Sequence, residues 1–589
     1  MIIIKNSQKG KCVCLDSSCI DRRLQHDYTA RMPMSEPTFD SYRSPVLARR
    51  GMVASSQPLA SQGGLSILVQ GGNAADAAVA TAAALNVTEP TSTGLGGDMF
   101  ALFYDARARQ VTALNGSGRA PTALTIDLLE QQNLISNRQS KISTQTRQLP
   151  PYHAHTVTVP GACAGWCDLI TRHGTMPLAE ILAPAIRLAD EGFPVAPLTA
   201  HFWQRGAENQ LASAPGGRAL TLDGRGPRAG EIFRNPGLAR AFRAIAEGGK
   251  EAYYQGDIAQ SIAQVVQEAG GAMTVEDLAA HESTWDEPIS TTYRGVRVWE
   301  CPPNGQGLAA LIALNALEGF ELSRQDPLGV DRWHLLIEAM RLAFADTRWY
   351  VADPKFFDIP LAGLLSKEYA ATRRQIINPE RATLDTKRGA PVAGSGTVYF
   401  CVVDGQGNAC SFINSNYMGF GTGIVPAGAA GPWGFTLQNR GHNFSLDPAH
   451  PNALAPRKRP YHTIIPGLLT REANGSLYAP FGVMGGFMQP QGHMQVVVGM
   501  IDDGLDPQAA LNRPRFCIDS ASAGGKVHLE RGIPRATLAE LAKRRHPLQP
   551  DVSGYARALF GRGQIIRCEP DGVLWGGSDP RADGCAMGF

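Results

Sequence analysis

Gly394-Ser395-Gly396-Thr397-Val398-Tyr399-Phe400-Cys401-Val402-Val403-Asp404 is the stretch on which the reading turns. Before it, Asn378 to Gly396 is rich in charge, Gly and Pro and reads as an exposed loop. After it, Val398 to Val403 is β-rich, Asp404-Gly405-Gln406-Gly407-Asn408 is a turn, and Ala409 to Asn414 is a second β-run. Together they predict a hairpin that opens at Thr397. A threonine hydroxyl is a poor nucleophile until a base removes its proton. A threonine at the start of a chain carries that base itself, as its α-amine. The ordinary pKa of such an amine, about 7.7–8.0, leaves much of it neutral near pH 7. The arrangement requires cleavage of the Gly396–Thr397 bond, and a glycine carbonyl in a loop has no side chain to obstruct attack. The same residues also suit an ordinary threonine opening a strand, because β-branched residues favour strands.

Working outward, the chain contains Arg50-Gly51-Met52-Val53-Ala54, Gly71-Gly72-Asn73-Ala74-Ala75-Asp76-Ala77-Ala78, Gly94-Leu95-Gly96-Gly97-Asp98 and Val159-Pro160-Gly161. Farther on come Tyr293-Arg294-Gly295, Gly421-Thr422-Gly423, Lys458-Arg459-Pro460, Gly485-Gly486 and Ser578-Asp579-Pro580-Arg581. In this order and spacing, from Arg50 to Gly584, the sequence resembles the γ-glutamyltransferase (glutathione hydrolase) family of N-terminal nucleophile hydrolases. Ser415-Asn416-Tyr417-Met418-Gly419-Phe420-Gly421 with Gln438-Asn439-Arg440-Gly441, and a short Asn443 to Pro460 segment, look like a lidless branch of it. The resemblance implies an α/β (α+β) fold, an αββα sandwich of two stacked antiparallel sheets flanked by helices. It also implies cleavage before Thr397 into a large subunit, 45–396, and a small subunit, 397–589, which together form one αββα unit as an αβ heterodimer, with further dimerisation an open expectation.

Composition narrows the class. A chain of 589 residues with 43% hydrophobic residues can bury a large core, and 64 Gly and 40 Pro imply many turns. A net charge of +2 without a long basic run gives no sign of a nucleic-acid partner. There is no P-loop, HExxH or GxSxG motif, and no cofactor or metal is called for when nucleophile and base are one residue. The 11 Cys are an odd, scattered number and point to a reducing compartment. Cys12, Cys14 and Cys19 have no His/Cys pair at zinc spacing after them. Ile2-Ile3-Ile4 is too short for a signal-peptide core, and no apolar run of about 18 residues is present, so a cytoplasmic location without a membrane span is expected. Residues 1 to 44 read as an unstructured extension, with Met32 or Met34 as alternative starts.

Periodicity fills in the elements. A strand and a helix are expected over Met52 to Val69, then a small-residue helix Ala74 to Asn86 capped by Asn73. Gly94-Leu95-Gly96-Gly97 lacks the GxGxxG pattern and reads as tight backbone packing. Strands are expected at Phe100 to Tyr104, Val111 to Asn115 and Val296 to Trp299. Helices are expected at Ala162 to Thr171, Ala179 to Glu191, Ile258 to Glu268 and Trp333 to Phe344. His334 and Glu338 share a helix face without a third ligand. Helices near Gln489 to Met500 and Pro507 to Asn512 close the list, with last strands near Ile565 to Arg567 and Val573 to Gly576.

The resemblance also assigns roles. Thr397 is the nucleophile, first on the Gly396 carbonyl and then on a substrate amide. Gly485 and Gly486 match the paired glycines whose N–H groups form the oxyanion hole. Ser415 matches a threonine that hydrogen-bonds the nucleophile. The acyl pocket departs from the γ-glutamyl pattern. The arginine that grips an α-carboxylate aligns with Ser117, with Arg119 two positions on as a substitute. Tyr417 and Arg440 replace an asparagine and a glutamine, Asn443 replaces the acid that pairs with the α-ammonium, and His462 and Thr463 replace two serines. Losing the acid and gaining Arg440 repels an ammonium and attracts a carboxylate. A glutathione hydrolase or γ-glutamyltransferase-like enzyme is therefore expected, acting on a γ-glutamyl or similar acyl amide. The alternatives are an amidase for an oxamate- or glutaryl-type acid, similar to cephalosporin acylases, or an unprocessed relative that binds a small acid.

Overall fold

A computed structural model describes residues 43–135, 148–385 and 397–589, and Arg43–Phe589 form one unit. The calls on residues 1–42, including Met32, Met34 and the three N-terminal cysteines, lie outside the described residues, as does Gly396.

The strand Val398–Val403 shows how one stretch organises the rest. Its side chains alternate between two faces, as strand geometry requires. Tyr399, Cys401 and Val403 point into one apolar cluster, while Val398, Phe400 and Val402 join another. Both faces are buried, so the run is apolar throughout instead of alternating with polar residues. It pairs on one side with Ala409–Ser415, Val398 opposite Asn414, and on the other with Met52–Ser55, Cys401 opposite Ala54. The predicted hairpin is present.

Seven strands form this sheet, in the order Cys585–Gly588, Met52–Ser55, Val398–Val403, Ala409–Ser415, Asp98–Asp105, Gln110–Gly116, Thr284–Asp286, and all neighbours are antiparallel. A second antiparallel sheet runs Val46–Ala48, Leu574–Ser578, Arg562–Cys568, Leu477–Met484, Gly467–Arg471, Val296–Glu300, Ile289–Tyr293. The two stack face to face over Phe100, Leu102, Tyr399 and Ile413 from one and Leu468, Met484 and Ile566 from the other. Gly482 permits a close approach: a Cβ there would stand 2.5 Å from the Tyr399 ring.

Helices cover the outer faces, which completes the αββα sandwich. On one side the helix Ala74–Thr88 is buried along its whole length, and its alanines let it lie close to its neighbours. Asn73 caps it by accepting from Ala75 N and Asp76 N, while the Asp76 carboxylate accepts from Asn73 N. Such a cap contributes about 1 kcal/mol. The Thr88 hydroxyl donates to Ala84 O, and the helix runs two residues past the expected Asn86. On the other side Gly307–Leu317, Val330–Tyr350 and Met488–Ile501 pack on the second sheet. His334 and Glu338 are paired, to His546 and Arg341 respectively, as a structural helix face. Among the described residues no helix is long and apolar enough to cross a membrane.

Candidate active site

Thr397 lies at the head of Val398–Val403 and is fully buried. The strand beside it ends at Ser415, which brings the two hydroxyls together: Thr397 Oγ1 and Ser415 Oγ are 3.0 Å apart. Two further donors converge on Ser415 Oγ, the Tyr417 amide at 2.9 Å and Arg440 Nη2 at 3.3 Å. In the Thr397–Ser415 contact itself either hydroxyl can donate. A negative charge growing on Thr397 Oγ1 would therefore meet a hydroxyl already polarised by a guanidinium. Tyr417 holds this amide in place with a left-handed backbone, φ 79°, which is strained for a non-glycine residue.

Arg440 stands in the short turn Arg440–Asn443 and has no exposed surface. Its Nη1 donates to Thr463 Oγ1 at 2.7 Å, and its guanidinium carbon lies 4.3 Å from the centre of the Tyr417 ring. Burial pushes its pKa down to about 10, against the opposing charge of Asp98. It remains a cation at neutral pH. Its recorded acceptors are two hydroxyls, its Nε has none, and no carboxylate of the described residues lies within ion-pair distance. A guanidinium carries five donors, so this one is buried with most of its capacity unused.

The remaining pocket residues are occupied with one another. Tyr417 donates to Asn443 Oδ1 at 2.6 Å, and Asn443 Nδ2 donates to the Tyr461 carbonyl at 3.0 Å. Burial pushes the Tyr417 hydroxyl up to about 12, so it stays a donor. The Ile464 amide donates to His462 Nδ1, which leaves Nε2 to carry the proton and donate to Asp98 Oδ2 at 3.0 Å. Burial, and then the charge of Arg440, push His462 down to about 3, so it is neutral and is not poised as a base.

Asp98 is the residue that sequence reasoning passed over. It opens Asp98–Asp105 directly opposite Ser415. Its Oδ1 accepts from Gly118 N, Gly161 N and Gln438 Nε2. Burial raises its pKa, but the hydrogen bond and charge of His462, with Arg440 and Gln438, outweigh this and hold the carboxyl below the usual range. Both of its oxygens are engaged, Oδ1 by three donors and Oδ2 by His462. Its presence in Gly94-Leu95-Gly96-Gly97-Asp98 was the available signal. The glycines there do pack tightly: a Cβ on Gly96 would lie 2.1 Å from Thr436 O, and one on Gly97 2.4 Å from Ser415 O.

Arg119 is not brought to this group. Its guanidinium donates to the Glu282 carbonyl and lines a separate cleft with His281 and Arg457. The backbone turns it away, because Gly118 is pressed so close to Val159 that a Cβ would meet its carbonyl at 1.6 Å. The arginine that does reach Ser117 is Arg459, whose Nε donates to the Ser117 carbonyl at 3.0 Å. Lys458-Arg459-Pro460 marked it in the sequence without showing where it points.

Gly485 and Gly486 join the strand Leu477–Met484 to the helix Met488–Ile501 with φ of 135° and 59°, values that favour glycine. Their carbonyls accept from Met488 N and Gln489 N, and among the described residues neither of their own amides donates. Two adjacent free amides at a helix start suit an anion. A cleft of about 430 Å³, lined by Gly485, Met418, Phe202, Phe420, Arg205 and Arg562, opens on this turn.

Residues 60–589 match the family described as Gamma-glutamyltranspeptidase. The chain is 37% identical over 548 residues to the glutathione hydrolase-like YwrD proenzyme of Bacillus subtilis, covering 92% of this chain and 99% of that protein. It is 34% identical over 570 residues to the glutathione hydrolase proenzyme of Escherichia coli, covering 93% of each. Its fold is similar to that of the cephalosporin acylase from Bacillus halodurans, with a TM-score of 0.85 and 46% identity over 95% of this chain and 99% of that one.

Proposed function

The chain belongs to the gamma-glutamyltranspeptidase family of amidohydrolases, and on that premise we propose that it is a self-processing enzyme with Thr397 as nucleophile, specific for an acyl group that ends in a carboxylate and lacks a free amine. One observation carries the acyl specificity: Arg440 is a fully buried cation close to Thr397 and Ser415 whose hydrogen-bond partners among the described residues are two hydroxyls. A substrate carboxylate entering here would complete a charge-assisted pair in a dry site. A γ-glutamyl ammonium would meet the same positive charge, and its nearest carboxylate, Asp98, is already saturated.

In maturation, Thr397 Oγ1 attacks the Gly396 carbonyl. The peptide nitrogen leaves as the new α-amine of Thr397, and water hydrolyses the resulting ester to free the Gly396 carboxylate. In turnover, that α-amine takes the Thr397 hydroxyl proton as Oγ1 attacks the substrate amide. The Gly485 and Gly486 amides receive the oxyanion. The protonated amine returns its proton to the departing amine, which exits by the cleft that opens on Gly485. Water, or a second amine in a transfer reaction, then resolves the acyl ester. The similarity to a cephalosporin acylase supports an amide other than γ-glutamyl, and the glutathione hydrolase relatives support the shared chemistry.

The test compares glutaryl-p-nitroanilide with γ-glutamyl-p-nitroanilide, together with a denaturing gel of the purified protein. Two chains matching 1–396 and 397–589, their absence in Thr397→Ala, and a glutaryl preference of at least about tenfold are expected. A preference for the γ-glutamyl compound would overturn the acyl assignment, and a single active full-length chain would overturn the mechanism.

A further inference from the structure

Gln306 precedes the helix Gly307–Leu317 and is fully buried. Its side-chain amide touches three separate parts of the candidate site. Nε2 donates to the Gly486 carbonyl at 2.8 Å and to the Thr463 carbonyl at 2.7 Å, and Oε1 accepts from the Tyr461 hydroxyl at 3.1 Å. Its backbone is tied to the same strip of chain, since Gln306 N donates to the His462 carbonyl. Both Nε2 protons are therefore used on two carbonyls that no sheet ladder joins, one in the oxyanion turn and one in the acyl pocket.

The geometry points to Gln306 as the positioning residue that sets the oxyanion amides of Gly485–Gly486 at a fixed distance from the Arg440 acyl pocket. This rests on the reading of those glycines given above. The Gly486 carbonyl lies in the 486–487 peptide plane, and with φ 59° and no side chain the turn pivots at Gly486 unless that plane is held; holding it fixes the Cα from which the Gly486 amide projects. Gln306 Nε2 and Gln489 N hold it from two directions. Thr463, whose carbonyl shares Nε2, presents its hydroxyl to Arg440. One amide group thus links the donors that would receive the oxyanion to the cation that would receive the acyl carboxylate. Gln306 itself reaches neither Thr397 nor any reacting atom.

The experiment uses the full-length protein and two variants of similar volume, Gln306→Met and Gln306→Glu. Both remove the Nε2 donors. Self-cleavage is followed on a gel, and turnover of glutaryl-p-nitroanilide is measured per titrated active site. Expected are a kcat lower by at least about tenfold, slower self-cleavage, and a KM within about threefold of the parent, since Arg440 still binds the acyl group. Inhibition by 4-boronobutanoate, which becomes tetrahedral on the Thr397 hydroxyl, should weaken in parallel with kcat, while inhibition by glutarate, a planar ground-state acid, should not. A purely structural glutamine would lower the folded fraction and leave kcat per active site unchanged. A kcat within twofold of the parent in Gln306→Met overturns the inference alone. A parent that neither cleaves itself nor turns over an acyl anilide overturns this inference together with the proposed function.

Discussion

Replacing Arg440 with methionine separates the energetic role of this residue from its catalytic one. The fall of its pKa to about 10 by burial, at about 1.4 kcal/mol for each tenfold change, represents a cost on the order of 3 kcal/mol. Because a buried base with a depressed pKa is penalised most where it is fully charged, that cost is present in full at neutral pH. Against it stand two hydroxyl bonds, about 1 kcal/mol each, and the stack on Tyr417 at 4.3 Å, about 1–2 kcal/mol. The opposing terms nearly cancel, so Arg440→Met is expected to keep its unfolding free energy within about 2 kcal/mol of the parent in a urea titration. Catalysis should respond very differently. Losing a buried charged partner costs about 2–5 kcal/mol, or roughly 30-fold to a few thousandfold in kcat/KM for glutaryl-p-nitroanilide. Pentanoyl-p-nitroanilide, its uncharged isostere, should change far less. A glutaryl-to-pentanoyl ratio that survives in a folded variant would refute the assignment of Arg440 to the acyl carboxylate.

Two further outcomes are expected. The pH profile of kcat/KM should show an acid limb from the Thr397 α-amine, at or below its ordinary value of about 7.7–8.0 because the Arg440 charge lies nearby. His462, neutral down to about pH 3, should contribute no limb, and an acid limb that disappears in His462→Gln would reassign the base to the imidazole. Asp98→Asn should cost about 2–4 kcal/mol of stability at pH 7, since a carboxylate with four donors becomes an amide facing the same donors. As the folded pKa of Asp98 is depressed, its contribution is complete above the ordinary carboxylate value and is lost as pH falls through the folded one. The gap between parent and variant in urea should therefore narrow as pH falls below the ordinary carboxylate range, and a gap independent of pH would contradict this account.

Much of the frame is legible in the chain because local rules and tertiary packing agree there. Pro507–Asn512 is found where a helix is expected; a proline opens it, and Asp506 accepts from the amides of Gln508 and Ala509. Val296–Glu300 and Gln110–Gly116 each run about one residue beyond the expected bounds at one or both ends, where the partner strand continues the ladder. The approach of Thr397 to Ser415 is legible because the two flank one hairpin, first and last in sequence, and its register sets them side by side. The pocket walls are not. Whether Arg119 or Arg459 reaches Ser117 depends on Gly118 abutting Val159, a contact between segments distant in sequence. Asp98 and Gln306 act through backbone groups of other segments, and such partners leave no periodic trace.

The interleaving of the sheets bears on what a nick between residues 396 and 397 can do. Val398–Val403 is laced to Met52–Ser55 on one edge and to Ala409–Ser415 on the other, and Gly467–Arg471 in the second sheet is laced to Val296–Glu300. The pieces on either side of the nick would share the Met52–Ser55 to Val398–Val403 and Asp98–Asp105 to Ala409–Ser415 ladders of the first sheet and the Val296–Glu300 to Gly467–Arg471 ladder of the second, so they could part company only if both sheets opened along them. On the proposed function, maturation on this scaffold would act as a ratchet, because the two halves would stay joined through both sheets after the cut.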